Sequence, residues 1–194
     1  SLMKHVMENA GGRRIALLIN EFGDVGVDGA ILKACGNESC PESAIIELPN
    51  GCICCTVADD FLPAMEKILK MENGFDHIII ETSGLALPKP LVKAFDWPEI
   101  RSRLTVDGVI GVVDTPAVLA GDFAEDLGAI AKQKEQIGTL DHDNPLAEVY
   151  EDQLLCADMI ILNKTDQLQV PQIEKVRMEI DGEINRGVPI IQAA

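Results

Sequence analysis

Four apolar runs, each ending in a polar residue, constrain what this chain can fold into. Residues 14–20 run through Ile15, Ala16, Leu17, Leu18 and Ile19 to Asn20. Residues 77–84 run through three isoleucines to Glu81, Thr82, Ser83 and Gly84. Residues 108–114 end at Asp114, and residues 159–163 end at Asn163. The runs are continuous rather than alternating, the pattern of strands buried on both faces of a parallel sheet. Shorter apolar stretches at 45–48 and 188–191 read as further strands. Helical spacing is predicted over 1–9, 61–71, 85–95, 148–156 and 170–184, with a short helix over 30–36. Gly11-Gly12 and Asn73-Gly74 supply stops, and Asp114 followed by Pro116 reads as a helix cap. Strands alternating with helices imply a doubly wound α/β fold with a mainly parallel sheet.

In such folds ligands bind beyond the carboxyl ends of the strands, and the loops there hold most of the chemistry. The first strand opens onto residues 20–29, which carry Glu21, Asp24 and Asp28 among three glycines. As a plain surface feature this is a solvated turn; at a strand end it is a place for a cation or phosphate. The strand at 45–48 opens onto Pro49-Asn50-Gly51-Cys52-Ile53-Cys54-Cys55-Thr56, with three cysteines in four residues. A closed structural zinc site uses two separated pairs, so one compact cluster leaves coordination positions open. A buried structural cluster and a redox dithiol compete with the metal reading, but adjacent cysteines bridge only with backbone strain. Soft thiolates suit zinc, cobalt or copper(I), and the metal reading is favoured. Thr56 is a candidate helix cap; alternatively the helix begins near Asp60 with Pro63 in its first turn. Cys35, Cys40 and the Asp141-His142-Asp143 segment are weaker candidates, and His77 reads as structural.

Charge narrows the partners. The formal net charge is −16 over 194 residues, which argues against nucleic acid and anionic membrane surfaces and suits a metal cation or a basic protein. No apolar run reaches 18 residues, so no transmembrane helix is predicted. The first residues lack signal-peptide character, and the six cysteines are expected to serve metal or catalytic chemistry in a reducing cytoplasm.

The last long run delivers Asn163-Lys164-Thr165-Asp166, an NKxD pattern. A carboxylate at Asp166 accepts from both N1–H and the exocyclic amine of guanine; adenine offers no such pair. Asn163 would tie neighbouring loops together, and the Lys164 stem would cover the base.

Taken in order, residues 20–28, Gly51-Cys52-Ile53-Cys54-Cys55, Glu81-Thr82-Ser83-Gly84 and Asn163-Lys164-Thr165-Asp166 resemble the CobW-type metal-chaperone GTPases, whose group includes relatives of the urease and hydrogenase nickel-insertion GTPases. The resemblance implies a P-loop NTPase-like G domain over residues 1–194, GTP and Mg2+ as ligands, and Co2+ or Zn2+ as cargo. Glu21 and Asp24 would match a switch segment near magnesium and the γ-phosphate. Glu81 would match the Walker-B-like acid and Gly84 the γ-phosphate-sensing glycine. Cys52, Cys54 and Cys55 would match the metal motif, Asn163, Lys164 and Asp166 the base-reading motif. The family is associated with cobalt handling in cobalamin biosynthesis, and its cousins with zinc; a cobaltochelatase is the client this implies.

The family's G-x-x-G-x-G-K-[ST] phosphate loop has no match here. Ser1-Leu2-Met3-Lys4 resembles the helix that comes after it, so the first strand, the phosphate loop and the family's C-terminal domain are expected to lie outside these residues. GTP hydrolysis is expected of the longer protein and not of this stretch alone. A metal-binding module without nucleotide turnover, and a structural α/β domain with a cysteine-rich loop, are the readings from other classes.

Overall fold

The computed structural model describes residues 2–19, 45–47, 61–71, 74–82, 84, 86–122 and 146–193. The chain divides into two compact units, Ser1–Ala86 and Leu87–Ala194.

In the first unit, α1 (Leu2–Glu8) leads to β1 (Ile15–Ile19), β2 (Ile45–Glu47), α2 (Leu62–Leu69) and β3 (His77–Glu81). The sheet order is β2-β1-β3 and both pairings are parallel. All five residues of β1 are buried, as a central strand with both faces covered requires. Ile15, Leu17 and Ile19 share one face and pack with Met7 of α1, flanked by Met3, Phe75 and Ile79. Helix α2 starts at Leu62 with Pro63 in its first turn, where the missing N–H costs nothing. It buries Ala64, Met65 and Ile68.

The second unit contains α3 (Pro88–Ala94), α4 (Pro98–Arg101), β4 (Ile110–Asp114), α5 (Thr115–Ala120), α6 (Leu146–Cys156), β5 (Met159–Asn163), a 3-10 turn (Thr165–Gln167), α7 (Val170–Glu183) and β6 (Ile190–Gln192). Its sheet runs β4-β5-β6, again parallel. Val113, Ile160 and Leu162 turn one face of this sheet toward Val118, Leu154, Ile173, Val176 and Ile180, forming the core. Each such side chain, fully removed from water, contributes on the order of 1.5–3 kcal/mol. The other face of β4 carries Ile110 and Val112, 55% and 52% exposed. Gly121 ends α5 at φ +89, a left-handed backbone that glycine adopts without a Cβ penalty. Lys89 pairs with Asp152, fastening α3 to α6.

The expected α/β class with parallel pairing is what the structure has. Several details differ. The turn helix α4 is not expected from the sequence, α3 begins at Pro88 rather than at residue 85, β4 at Ile110 rather than at residue 108, α6 at Leu146 rather than at residue 148, and β6 at Ile190 rather than at residue 188. Pro189 has no N–H; it contributes only its carbonyl, which accepts from Ile160 N at 2.9 Å. The helix expected over 30–36 and the Thr56 cap lie outside the described residues.

Candidate functional site

Strand β5 ends in the NKxD residues, and the local chemistry fixes their backbone. Lys164 sits at φ 59, ψ 30, left-handed, and is the one positive-φ residue other than glycine among the described residues. Such a conformation is unfavourable for a side chain with a Cβ and persists where surrounding contacts impose it. Those contacts come from both neighbouring strands. From the β4 side, buried Thr115 donates its Oγ1–H to the Asn163 carbonyl at 2.6 Å, and Asp114 Oδ2 accepts from Lys164 Nζ at 2.8 Å. From the β6 side, the Ala193 carbonyl accepts from both Thr165 N (3.1 Å) and Thr165 Oγ1 (2.8 Å), and Ala193 N donates to Leu162 O at 2.8 Å. The 3-10 turn then carries Asp166 into an exposed position. A carboxylate held on a fixed turn, open to solvent and beside a half-buried lysine, fits the two donors of a guanine edge.

Asp114 has a second task. Its Oδ1 accepts from Ala117 N at 3.3 Å, capping α5. The cap is expected from the sequence; the lysine partner is not, nor are the roles of Thr115 and Thr165. Their partners are 48 and 28 residues away, so no local pattern announces them.

In the first unit, Glu81 closes β3 and pairs in register with Ile19, the last residue of β1. Its side chain is half-buried and Oε2 is shielded from solvent. Gly84 lies just beyond in an exposed position; a Cβ built there meets nothing within 4 Å. Neither packing among the described residues nor positive φ requires glycine at this position. Glu21, Asp24, Cys52, Cys54 and Cys55 lie outside the described residues, as do Cys35, Cys40 and His142. Among the described residues no group of three His, Cys, Asp or Glu side chains is gathered to hold a metal. Cys156, half-buried in α6, is free, and burial pushes its thiol pKa up, away from the thiolate a metal needs.

A sequence model of the CobW/HypB/UreG nucleotide-binding domain matches residues 1–192. The chain belongs to this family. It is 54% identical over 193 residues to a zinc chaperone CobW of a Sinorhizobium species, covering 100% of this chain and 54% of that protein. It is 34% identical over 183 residues to the zinc-regulated GTPase metalloprotein activator 1 of Schizosaccharomyces pombe, covering 93% of this chain and 39% of that one. The chain thus spans about half the length, or less, of these curated relatives. Its fold resembles that of the Zn(II)-bound YjiA GTPase from E. coli, with a TM-score of 0.56 at 23% identity over 97% of this chain and 51% of the other. No helix among the described residues is long and apolar enough to cross a membrane.

Proposed function

We propose that this CobW-family domain is the nucleotide-binding part of a cytoplasmic GTP-dependent metallochaperone. It binds a transition metal at Cys52, Cys54 and Cys55 and delivers it to a metalloenzyme or chelatase. The observation that carries the reading is the NKxD turn: Asp166 exposed, Lys164 braced by Asp114, both at the carboxyl end of β5. The relatives named as zinc chaperones favour zinc as cargo; thiolates also ligate cobalt(II), and delivery for cobalamin biosynthesis is the other destination.

The work would be divided among several residues. Asp166 accepts from the guanine edge while the Lys164 stem covers the base. Glu21, Asp24 and Glu81 supply carboxylate oxygens suited to Mg2+, a hard cation that prefers such ligands. Gly84, where glycine answers no packing need among the described residues, leaves room for a γ-phosphate to approach a backbone N–H. Mg2+ supplies charge neutralisation to the phosphates when bound. Three thiolates leave a metal's shell incomplete, so cargo binding would depend on groups ordered by the nucleotide. By linkage, the metal then binds more tightly with GTP than with GDP, and hydrolysis favours its release.

The test is a cobalt(II) titration of the full-length protein, read by thiolate charge-transfer absorbance, with a non-hydrolysable GTP analogue and with GDP. A tenfold preference for the GTP state corresponds to about 1.4 kcal/mol of coupling. Cys52→Ser and Cys54→Ser should each abolish the band. Equal affinity in both states would rule out nucleotide-driven release.

A further inference from the structure

Asp114 stands at the end of β4, in register with Asn163 at the end of β5. Its two carboxylate oxygens are divided: Oδ1 takes the Ala117 N–H and Oδ2 takes the Lys164 ammonium at 2.8 Å. The pair is partly withdrawn from water, with side-chain exposures of 34% for Lys164 and 18% for Asp114. At that burial the attraction is screened less than in an open surface pair. Lysine is among the side chains that lose most rotamer freedom on being fixed, so a lysine already held needs less ordering when a ligand arrives.

We propose that Asp114 is a positioning residue for guanine-nucleotide binding: it holds the Lys164 side chain in place so that its stem is set against the base plane before the nucleotide arrives. The inference rests on the reading of Asn163-Lys164-Thr165-Asp166 as the base-recognising turn. Asp114 touches no ligand in this scheme; it acts through Lys164, and Thr115 supports it by holding the Asn163 carbonyl. The chemistry requires a carboxylate. An asparagine at 114 has a single amide oxygen, which serves either the helix cap or the lysine. A serine keeps the cap but carries no charge and is too short to reach Lys164.

Equilibrium binding of GDP, IDP and ADP to the full-length protein tests this, with the variants Asp114→Ser, Asp114→Asn, Lys164→Met and Asp114→Ser/Lys164→Met. Inosine lacks the exocyclic amine that Asp166 would read, so the GDP-to-IDP ratio reports the turn's integrity separately from Lys164. Asp114→Ser and Lys164→Met should each weaken GDP about tenfold, equivalent to about 1.4 kcal/mol. The double variant should be no weaker than either single one, and the GDP-to-IDP ratio should be unchanged in all. Asp114→Asn should behave as Asp114→Ser, so a failure of one to fold leaves the other informative. Wild-type affinity in the folded Asp114 variants, or multiplied losses in the double variant, would overturn the proposal. So would a collapse of the GDP-to-IDP ratio, which would make Asp114 a structural cap for the whole turn. An unmutated protein that binds ADP as well as GDP would instead overturn the base-recognition reading itself.

Discussion

Asp76 in the first unit and Asp158 in the second occupy matching places. Each immediately precedes a strand, β3 or β5, and each carboxylate accepts the backbone N–H of the residue preceding the neighbouring strand. Arg14 N donates to Asp76 Oδ2 at 2.8 Å, and Val109 N to Asp158 Oδ2 at 2.8 Å. The carbonyls of Arg14 and Val109 accept in return from Asp76 N and His77 N, and from Asp158 N and Met159 N. The amino ends of the two strand pairs are therefore fastened by the same three hydrogen bonds, two between backbone groups and one from a backbone N–H to the aspartate carboxylate. The carboxyl ends diverge: Glu81 stands against Ile19 in one, Asn163 against Asp114 in the other, with a lysine and two threonines added. Pairing at the amino end solves a folding problem common to parallel strands. The residues at and beyond the carboxyl ends include the candidate site residues, Glu81 and Gly84 in one unit and Asn163, Lys164 and Asp166 in the other.

The largest test of that likeness is in the central strands. Leu17 and Leu162 are both fully buried, so Leu17→Ala and Leu162→Ala should each cost about 2–5 kcal/mol in denaturant unfolding. A loss well under 1 kcal/mol at either position would mean that the two strands are not equally enclosed. A sharper and smaller test uses the second positions of β1 and β4. Ala16 pairs with Ile78 and Gly111 with Ile160. The first site holds a methyl group; at the second, an added Cβ would lie 2.8 Å from Ile160 Cδ1 and 3.4 Å from Ala157 Cβ. Gly111→Ala should cost about 1–3 kcal/mol through overpacking. Ile160→Val removes the offending Cδ1, so the double variant should be more stable than the two single losses added together. Simple additivity would show that the strain lies elsewhere.

The smallest effect separates the two amino-end clamps. Hydrogen bonds from the Arg14 side chain and backbone, with the guanidinium charge, hold Asp76 below the ordinary value of 3.8. A carboxylate lowered in this way adds stability that is present above that value and lost as pH falls through its folded value. Asp76→Asn should therefore lower the melting temperature slightly at pH 7, and the deficit should shrink below pH 3.8. A deficit that persists unchanged at pH 2 would assign the effect to shape rather than charge.

Much of this architecture is legible in the sequence because it is local. The run from Met159 to Asn163 is the observed β5, and Asp114 with Pro116 starts α5 as its spacing implies. The turn Thr165–Gln167 and the one-turn helix α4 are too short to impose a period. The bracing of Lys164 was invisible because it depends on Asp114, 50 residues earlier; nothing near Lys164 marks its left-handed backbone. The division of the sheet residues between two units was equally unreadable, since each apolar run predicts a buried strand without naming its neighbours.

Ala193 has an ordinary side chain and lies just beyond β6. Both of its backbone groups are committed: the N–H to Leu162, the carbonyl twice over to Thr165. Trimming the chain before Ala193, or nicking it there with a protease, would remove one whole side of the support beneath the Lys164 turn while sparing every residue of the motif. Under the proposed function, the minimal unit for base recognition would extend some 27 residues past Asp166, its outer boundary set by a peptide group rather than by any side chain.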